Sequence, residues 1–231
     1  MRFADALLAY LGLGMLAAAI LGLVWRRRYR LCLSFFVFLW AVLIPDALVA
    51  LWPERFYTRA FWTLKETAQT ALMIAVALEM AYLAFGAFPR ARVRVVALLA
   101  VLAGLTALVL TLQPPSMIDP YEEWLGRLTP ICYAGIVWLY VSTVVVAAYY
   151  RVPVHPFHRA VILGFVLYLT ISTGALGTLG EAGQGVYSTI KPLGPAAFAA
   201  TEGLWAWAAW RRLPAPESAQ LMRQLQPWAR W

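Results

Sequence analysis

The sequence predicts an all-α membrane protein, a bundle of seven transmembrane helices with its N-terminus outside and its C-terminus inside. Of the 231 residues, 63% are apolar and only 13% are charged, whereas a soluble domain carries about 25% charged residues. The apolar residues form unbroken runs of about 20 residues, the length of a membrane-spanning helix, and do not alternate with polar ones as in a β-barrel. Basic residues gather beside alternate runs, as expected of a chain that crosses a bilayer repeatedly.

Seven apolar runs are long enough to cross the roughly 30 Å of hydrocarbon in a bilayer. Each must be helical, because lipid offers no partner for an unpaired backbone group. The runs form one transmembrane domain over residues 1–212, which a tail over residues 213–231 follows. The predicted spans cover residues 5–25, 31–52, 62–87, 94–112, 125–150, 157–180 and 186–210.

The orientation of the spans follows from the 19 basic residues, most of which follow an odd-numbered span. Basic residues mark the cytoplasmic side of a membrane protein, so the N-terminus is predicted outside and the C-terminus inside. Arginine replaces nearly all lysine, and alanine, glycine and proline are abundant, which suggests a GC-rich bacterial genome. We therefore expect a multi-pass protein of the bacterial inner membrane. The largest groups are Arg26, Arg27, Arg28 and Arg30; Arg90, Arg92 and Arg94; and Arg211, Arg212, Arg223 and Arg230.

The remaining composition argues against several functional classes. A net charge of +8 would suggest nucleic acid in a soluble protein, but here the excess lies beside span ends, so no nucleic-acid partner is expected. Cys32 and Cys132 fall at different depths, which makes a disulfide unlikely to form. His155 and His158 have no cysteine or acid beside them to complete a metal site. Because no HExxH, GxSxG or CxxC motif occurs, we predict a non-enzymatic protein with no metal, no catalytic residue and no cofactor besides bound lipid.

Two carboxylates inside the spans are the first candidate site, since ionisable groups within a bilayer are costly and usually functional. Counting ~1.5 Å per residue from the span midpoints puts Glu79 and Glu202 slightly to the cytoplasmic side of the centre, at similar depth. Two carboxylates at one level can share a proton, bind a cation or relay protons. In the structural alternative each is neutral and hydrogen-bonds a hydroxyl on a neighbouring helix, and glutamine would replace it without loss.

A second candidate site is an outward-facing ligand pocket near the outer ends of three spans. In the structural alternative, Pro45 kinks the second span, Asp46 caps the break or pairs with Lys65 or Arg59, and Lys65 and Glu66 form an interfacial pair. The residues of the predicted pocket are Asp46, Lys65, Glu66, Gln69 and Lys191.

The tail begins with prolines and then places apolar residues on one side of a short amphipathic helix. Such a helix can lie on the bilayer surface or against another protein. We predict that it docks a protein partner through Leu221, Met222, Leu225 and Trp228.

Several features occur together along the chain: Tyr29 within the arginine cluster 26–30, Tyr57 and Trp62 ahead of the third span, and Glu79 within it. With these the chain resembles a group of small seven-helix bacterial membrane proteins of unknown function. Its topology is also similar to the membrane input modules of sensor kinases, although no kinase follows residue 231. The resemblance implies an accessory or sensor-type subunit within a larger membrane complex. The alternative is a small-solute or proton-coupled transporter that uses the intramembrane carboxylates.

Overall fold

The structure, a computed structural model, describes residues 3–84, 129–149, 154–182 and 193–212, together with Ala97 and Val101. The described residues form helices and no strand, which confirms the all-α prediction. A 3-10 turn over Arg28–Leu31 precedes the second helix. The α-helices are α1 Phe3–Trp25, α2 Leu33–Leu51, α3 Pro53–Phe56, α4 Arg59–Ala84, α5 Thr129–Tyr149, α6 Pro156–Ala182 and α7 Leu193–Trp210.

The helices follow the apolar runs closely, and the differences lie at their ends. Helix α3 was not predicted: Pro53 at its first position has a fixed φ and no N–H, which suits it to start a helix. Helix α4 begins at Arg59, three residues before the predicted span. The predicted span 94–112 lies outside the described residues except for Ala97 and Val101, which are both helical.

Three stretches of the described residues are long and apolar enough to cross a membrane, judged by length and composition. A fourth apolar stretch in α1, Tyr10–Trp25, is shorter. Several large apolar side chains on these helices are exposed, among them Leu33 and Trp138, as expected for helices that face lipid. The three stretches are Leu33–Leu51, Ile131–Tyr149 and Pro156–Ala175.

Helices α1 and α7 run parallel to each other. Towards the start of α1, a β-carbon at Gly12 would lie 2.8 Å from Oε2 of Glu202, and near its end one at Gly22 would lie 2.8 Å from Nε1 of Trp210. Trp210 also donates from Nε1 to the carbonyl oxygen of Ala18, 2.8 Å away. Along these contacts the residue numbers rise in both helices, so α1 and α7 point the same way.

Contacts between named residues also give the directions of the other helices. Helices α2 and α4 are antiparallel, since Ser34 meets Glu79 whereas Asp46 meets Lys65. The remaining directions follow from ring contacts, which make α5 antiparallel to α6, α6 antiparallel to α7 and α2 parallel to α6. These contacts are Tyr133–Tyr168, Tyr140–Phe165, Tyr168–Phe198, Phe165–Trp205, Phe35–Phe157 and Phe38–Phe165.

These directions place the end of α4 and the start of α5 at opposite ends of the bundle. Helix α4 opposes α2, and α5 opposes α6, which is parallel to α2; α4 and α5 therefore point the same way. The chain between them, residues 85–128, connects one end of the bundle to the other.

A cluster of buried aromatic rings joins α2, α6 and α7 in the centre. The Trp205 ring lies 4.8 Å from that of Phe165 and 5.1 Å from that of Phe35, centroid to centroid. All three side chains are at most 1% exposed. Aromatic pairs of this kind contribute about 0.5–1.5 kcal/mol each beyond the area they bury, so the cluster fixes how these three helices pack.

Candidate functional site

Glu79 caps the start of α2 and does not lie alone in the bundle. Its Oε2 accepts hydrogen bonds from the Ser34 N–H at 2.8 Å and the Cys32 thiol at 3.2 Å, and its Oε1 accepts one from the Leu33 N–H at 3.0 Å. The first N–H groups of a helix have no partner within it, and Cys32 at the N-cap position supplies no side-chain cap. The Glu79 carboxylate on α4 therefore replaces the missing local cap, where the helix dipole also favours negative charge.

Arg28 makes the converse contact at the end of α7. Its guanidinium donates to the carbonyl oxygens of Ala208 at 2.7 Å, Ala209 at 3.4 Å and Arg211 at 2.8 Å. The last carbonyls of a helix are unpaired and attract cations. Arg28 thus ties the turn between α1 and α2 to the point where the chain leaves α7.

Two histidines hold the start of α6 beside the same turn. His158 Nε2 lies 3.1 Å from the carbonyl oxygen of Leu31, and the Phe157 N–H donates to His155 Nδ1 over 3.2 Å. Burial, reinforced by the neighbouring His158 and Arg28, lowers the pKa of His155 to about 4, so the ring is neutral near pH 7 and Nδ1 can accept. We call Arg28, Glu79 and His158 the hairpin anchor, because together they fix the turn between α1 and α2 against α7, α4 and α6.

At the opposite end, Lys65 and Asp46 form an ion pair between α4 and α2, one of the pairings expected from the sequence. The Lys65 side chain is only 8% exposed and that of Asp46 30%. Lys65 Nζ also lies 4.3 Å from the centroid of the Trp62 ring, close enough for a cation–π contact. The lysine ammonium is thus held between a carboxylate and an aromatic face.

Gln69 repairs the break that proline makes in α2. Pro45 lies inside the helix and has no N–H to donate to the carbonyl of Ala41, four residues earlier. Gln69 Nε2 donates to that carbonyl oxygen over 3.3 Å, and the Gln69 side chain is buried. Pro45 therefore leaves a carbonyl of α2 without its helical donor, and a side chain of α4 supplies the hydrogen bond instead.

The structure brings together four of the five residues of the predicted outer pocket. Glu66 lies within electrostatic reach of Lys65 and Asp46, and also of the buried hydroxyls of Tyr133 and Tyr168. The tyrosine rings lie 6.3 Å apart. Lys191 lies outside the described residues. The four assembled residues, Asp46, Lys65, Glu66 and Gln69, are named the outer polar cluster.

Removing the cation of the outer polar cluster is expected to destabilise the protein. Lys65→Met leaves Asp46 and Glu66 without their counter-charge, which should lower the free energy of unfolding by about 3 kcal/mol. Lys65→Met combined with Asp46→Asn should recover part of that loss, because Glu66 is then the one carboxylate of the cluster that lacks its counter-charge. Thermal unfolding in detergent measures both variants, and a double variant no more stable than the single one would contradict the pairing.

Glu202 has a different environment from Glu79. Glu202 is 2% exposed, and its Oε2 has no hydrogen-bond partner in the part of the chain that the structure describes. That oxygen points at the bare backbone of Gly12 on α1. The carboxyl is therefore buried in the seam between α1 and α7.

The expectation that Glu79 and Glu202 lie at similar depth is wrong. Gly12, which faces Glu202, lies about 20 Å before the end of α1, at a rise of ~1.5 Å per residue. Glu79 contacts the first residues of α2, which lie just beyond the end of α1. The helix ends explain the error: α4 begins before the predicted span, and α7 is described from Leu193 onward, well after residue 186. Relative to the predicted spans, the midpoint of α4 therefore lies earlier in the sequence and the midpoint of the described α7 lies later.

Sequence reasoning treated Arg28 only as a topogenic charge and His158 as a residue of a polar turn. Their partners lie more than a hundred positions away, so no local pattern reveals them. One signal was present: a helix that starts after Cys32, without Ser, Thr, Asp or Asn at its N-cap, needs a cap from elsewhere. The tail residues Leu221, Met222, Leu225 and Trp228 lie outside the described residues.

Comparison with known proteins adds no family assignment to this geometry. The chain matches no family model, no curated protein and no solved structure.

Proposed function

We propose that this chain is a non-enzymatic protein of the bacterial inner membrane, an accessory or sensor-type subunit of a larger membrane complex. In this proposal it has seven spans, with the N-terminus outside and the C-terminus in the cytoplasm. Its partners are the bilayer and a membrane protein complex.

The helix directions support seven spans. Residues 85–128 connect opposite ends of the bundle, and they contain the apolar run 94–112, which is long enough for one crossing. Parallel packing of α1 and α7 agrees with an even number of crossings after the first. The arginines Arg26, Arg27, Arg28, Arg30, Arg159, Arg211 and Arg212 gather at one end of the described helices, as the cytoplasmic end of a membrane protein would require.

The observation that carries the subunit proposal is the fixed end of α7. Arg28 binds the last carbonyls of α7, and Trp210 is tied to α1. The chain therefore leaves the bundle towards the tail from a fixed point. A fixed exit supports docking because a tail held at its base loses less conformational freedom when it binds a partner.

We expect the full-length protein, purified from its native membrane in mild detergent, to carry a stoichiometric set of partners identifiable by mass spectrometry. Deleting residues 213–231, or replacing Leu221, Met222, Leu225 and Trp228 together by serine, should remove those partners. Apolar side chains on one helical face provide the contact area for such an interaction.

Control substitutions on the other face of the predicted tail helix, Arg223→Gln and Gln226→Ser, should leave the partner set unchanged. Purification of the intact protein as a monomer or homo-oligomer would contradict the subunit proposal. Loss of partners in the control variants as well would contradict docking through the apolar face.

A second function, small-solute or proton-coupled transport, has one observation in its favour: Oε2 of the buried Glu202 carboxyl has no hydrogen-bond partner among the described residues. Glu79 is already used as a helix cap, so it is a poor carrier of protons. Flux into vesicles containing the protein should then depend on Glu202 and fall to background in Glu202→Gln. Undiminished flux in that variant would exclude transport through this carboxyl.

A further inference from the structure

The seam between α1 and α7 holds a carboxyl group that nothing else in the described bundle neutralises. The Glu202 side chain is 2% exposed, and its Oε2 has no hydrogen-bond partner. A β-carbon at Gly12 would lie 2.8 Å from this oxygen, so the carboxyl group lies directly against the glycine and a side chain at this position would displace it. The next contact along the seam, Gly203 with Met15, is apolar.

Among the described residues, the titratable and charged groups that surround Glu202 offer it no positive charge. From α2 the nearest charged group is Asp46, a carboxylate that Lys65 of α4 already binds. From α6 the titratable neighbour is Tyr168, whose ring packs on Phe198, one turn before Glu202. Among the described side chains of α1, residues 10–25, the only titratable one is Tyr10, which is 64% exposed.

An ionised carboxylate in this position would be an unpaired charge against apolar side chains and glycine backbone. Such a charge is very unfavourable, and a group so placed takes up a proton. A carboxylic acid, by contrast, is uncharged and small enough to fit against Gly12. The observed packing of α1 and α7 is therefore favourable when Glu202 is protonated and unfavourable when it is ionised.

We propose that Glu202 is a proton-binding site, and that its bound proton keeps α1 and α7 in contact. Loss of the proton leaves a negative charge in the seam, which the helices relieve by separating enough to admit water. Because α7 leads directly to the tail, the seam connects the centre of the bundle to the end from which the chain leaves it. The inference does not depend on the identity of any partner, nor on transport.

A hydrophobic carbodiimide tests for the bound proton in the full-length protein. Dicyclohexylcarbodiimide enters apolar sites and reacts with protonated carboxyl groups: the acid O–H adds across one C=N bond, and the adduct rearranges to a stable N-acylurea that retains all atoms of both reactants. We expect peptide mass spectrometry to locate one adduct on Glu202. As pH rises through the titration of the group, labelling should fall about tenfold per pH unit.

Glu79 provides the matched control, since it lies in the same bundle but accepts three hydrogen bonds as an ionised cap. In the wild-type protein Glu79 should itself carry no adduct, whereas Glu202→Gln should remove the adduct from position 202. Absence of an adduct on Glu202 in the folded wild-type protein would overturn the proposal, whether or not any variant folds. Protection of Glu202 by sodium ions at constant pH would also overturn it, because the site would then bind a metal cation.

The melting temperature in detergent tests the effect of the proton on the seam. A proton bound in the folded state and released on unfolding makes stability decrease as pH rises. Relative to Glu202→Gln, which has no proton to lose at that position, the melting temperature of the wild-type protein should therefore fall as pH rises above about 4.3, the ordinary pKa of a glutamate carboxyl. Parallel pH profiles of the two proteins would contradict the proposed link between the proton and helix packing.

Discussion

Replacing Gly164 by alanine is expected to cause the largest loss of stability of any single methyl addition among the described glycines. A β-carbon at Gly164 would lie 2.3 Å from Nε1 of Trp205 and 2.9 Å from Cγ2 of Thr201. The indole cannot move aside, because it is fully buried against Phe35 and Phe165. The added methyl must therefore push α6 away from α7, and we expect a loss of about 3 kcal/mol or more in the free energy of unfolding.

Gly174→Ala on the same helix is the matched control for this substitution. Apart from the nearby backbone of α6 itself, no atom of the described residues lies within 4 Å of the position that a β-carbon at Gly174 would take. Alanine favours a helix over glycine by about 0.8–1.0 kcal/mol, so this variant should be as stable as the wild-type protein or slightly more stable. Thermal unfolding in detergent compares the three proteins. Equal melting temperatures for Gly164→Ala and Gly174→Ala would show that Trp205 does not pack on the backbone of α6.

The positions of the helices could be predicted from the sequence because the apolar runs leave little choice. In lipid an apolar segment satisfies its backbone only as a helix, and α1, α2, α5 and α6 accordingly follow their predicted spans closely. Where helices end is decided by other interactions. Helix α3 depends on Pro53 and lies in a stretch where composition carries little signal, which is why it was missed.

The roles of the charged residues could be predicted only in part. The sequence allows three roles for Asp46, as a cap of the break at Pro45 or in a pair with Lys65 or Arg59, and the structure shows the pair with Lys65. Arg28 and Glu79 could not be assigned, because each acts on the end of a helix that is distant in sequence. Their roles depend on which helices are neighbours, and apolar runs of similar composition do not specify that order.

The structure makes opposite predictions for the same substitution at Glu79 and at Glu202. A neutral glutamate can be replaced by glutamine with little change in hydrogen bonding, so Glu202→Gln should leave the melting temperature at neutral pH close to that of the wild-type protein. Glu79 uses both oxygens to accept backbone N–H groups, one from Leu33 and one from Ser34. In glutamine one of these oxygens becomes an NH₂ group, which would face an N–H donor.

Glu79→Gln should therefore lose one backbone hydrogen bond, the thiol bond from Cys32 or both, together with the favourable charge at the start of α2. Hydrogen bonds to charged groups contribute about 1.5–3 kcal/mol each, so we expect a loss of about 2–3 kcal/mol in the free energy of unfolding, measured by thermal unfolding in detergent. Glu54→Gln on the exposed helix α3 is the control for removing a negative charge and should have no effect. If Glu79→Gln were as stable as Glu54→Gln, the carboxylate would not be holding the start of α2. A loss of stability in Glu79→Gln but not in Glu202→Gln would show that the two glutamates have different roles. Glu79 would then be a helix cap, and Glu202 would be the carboxyl whose protonation affects the packing of the bundle.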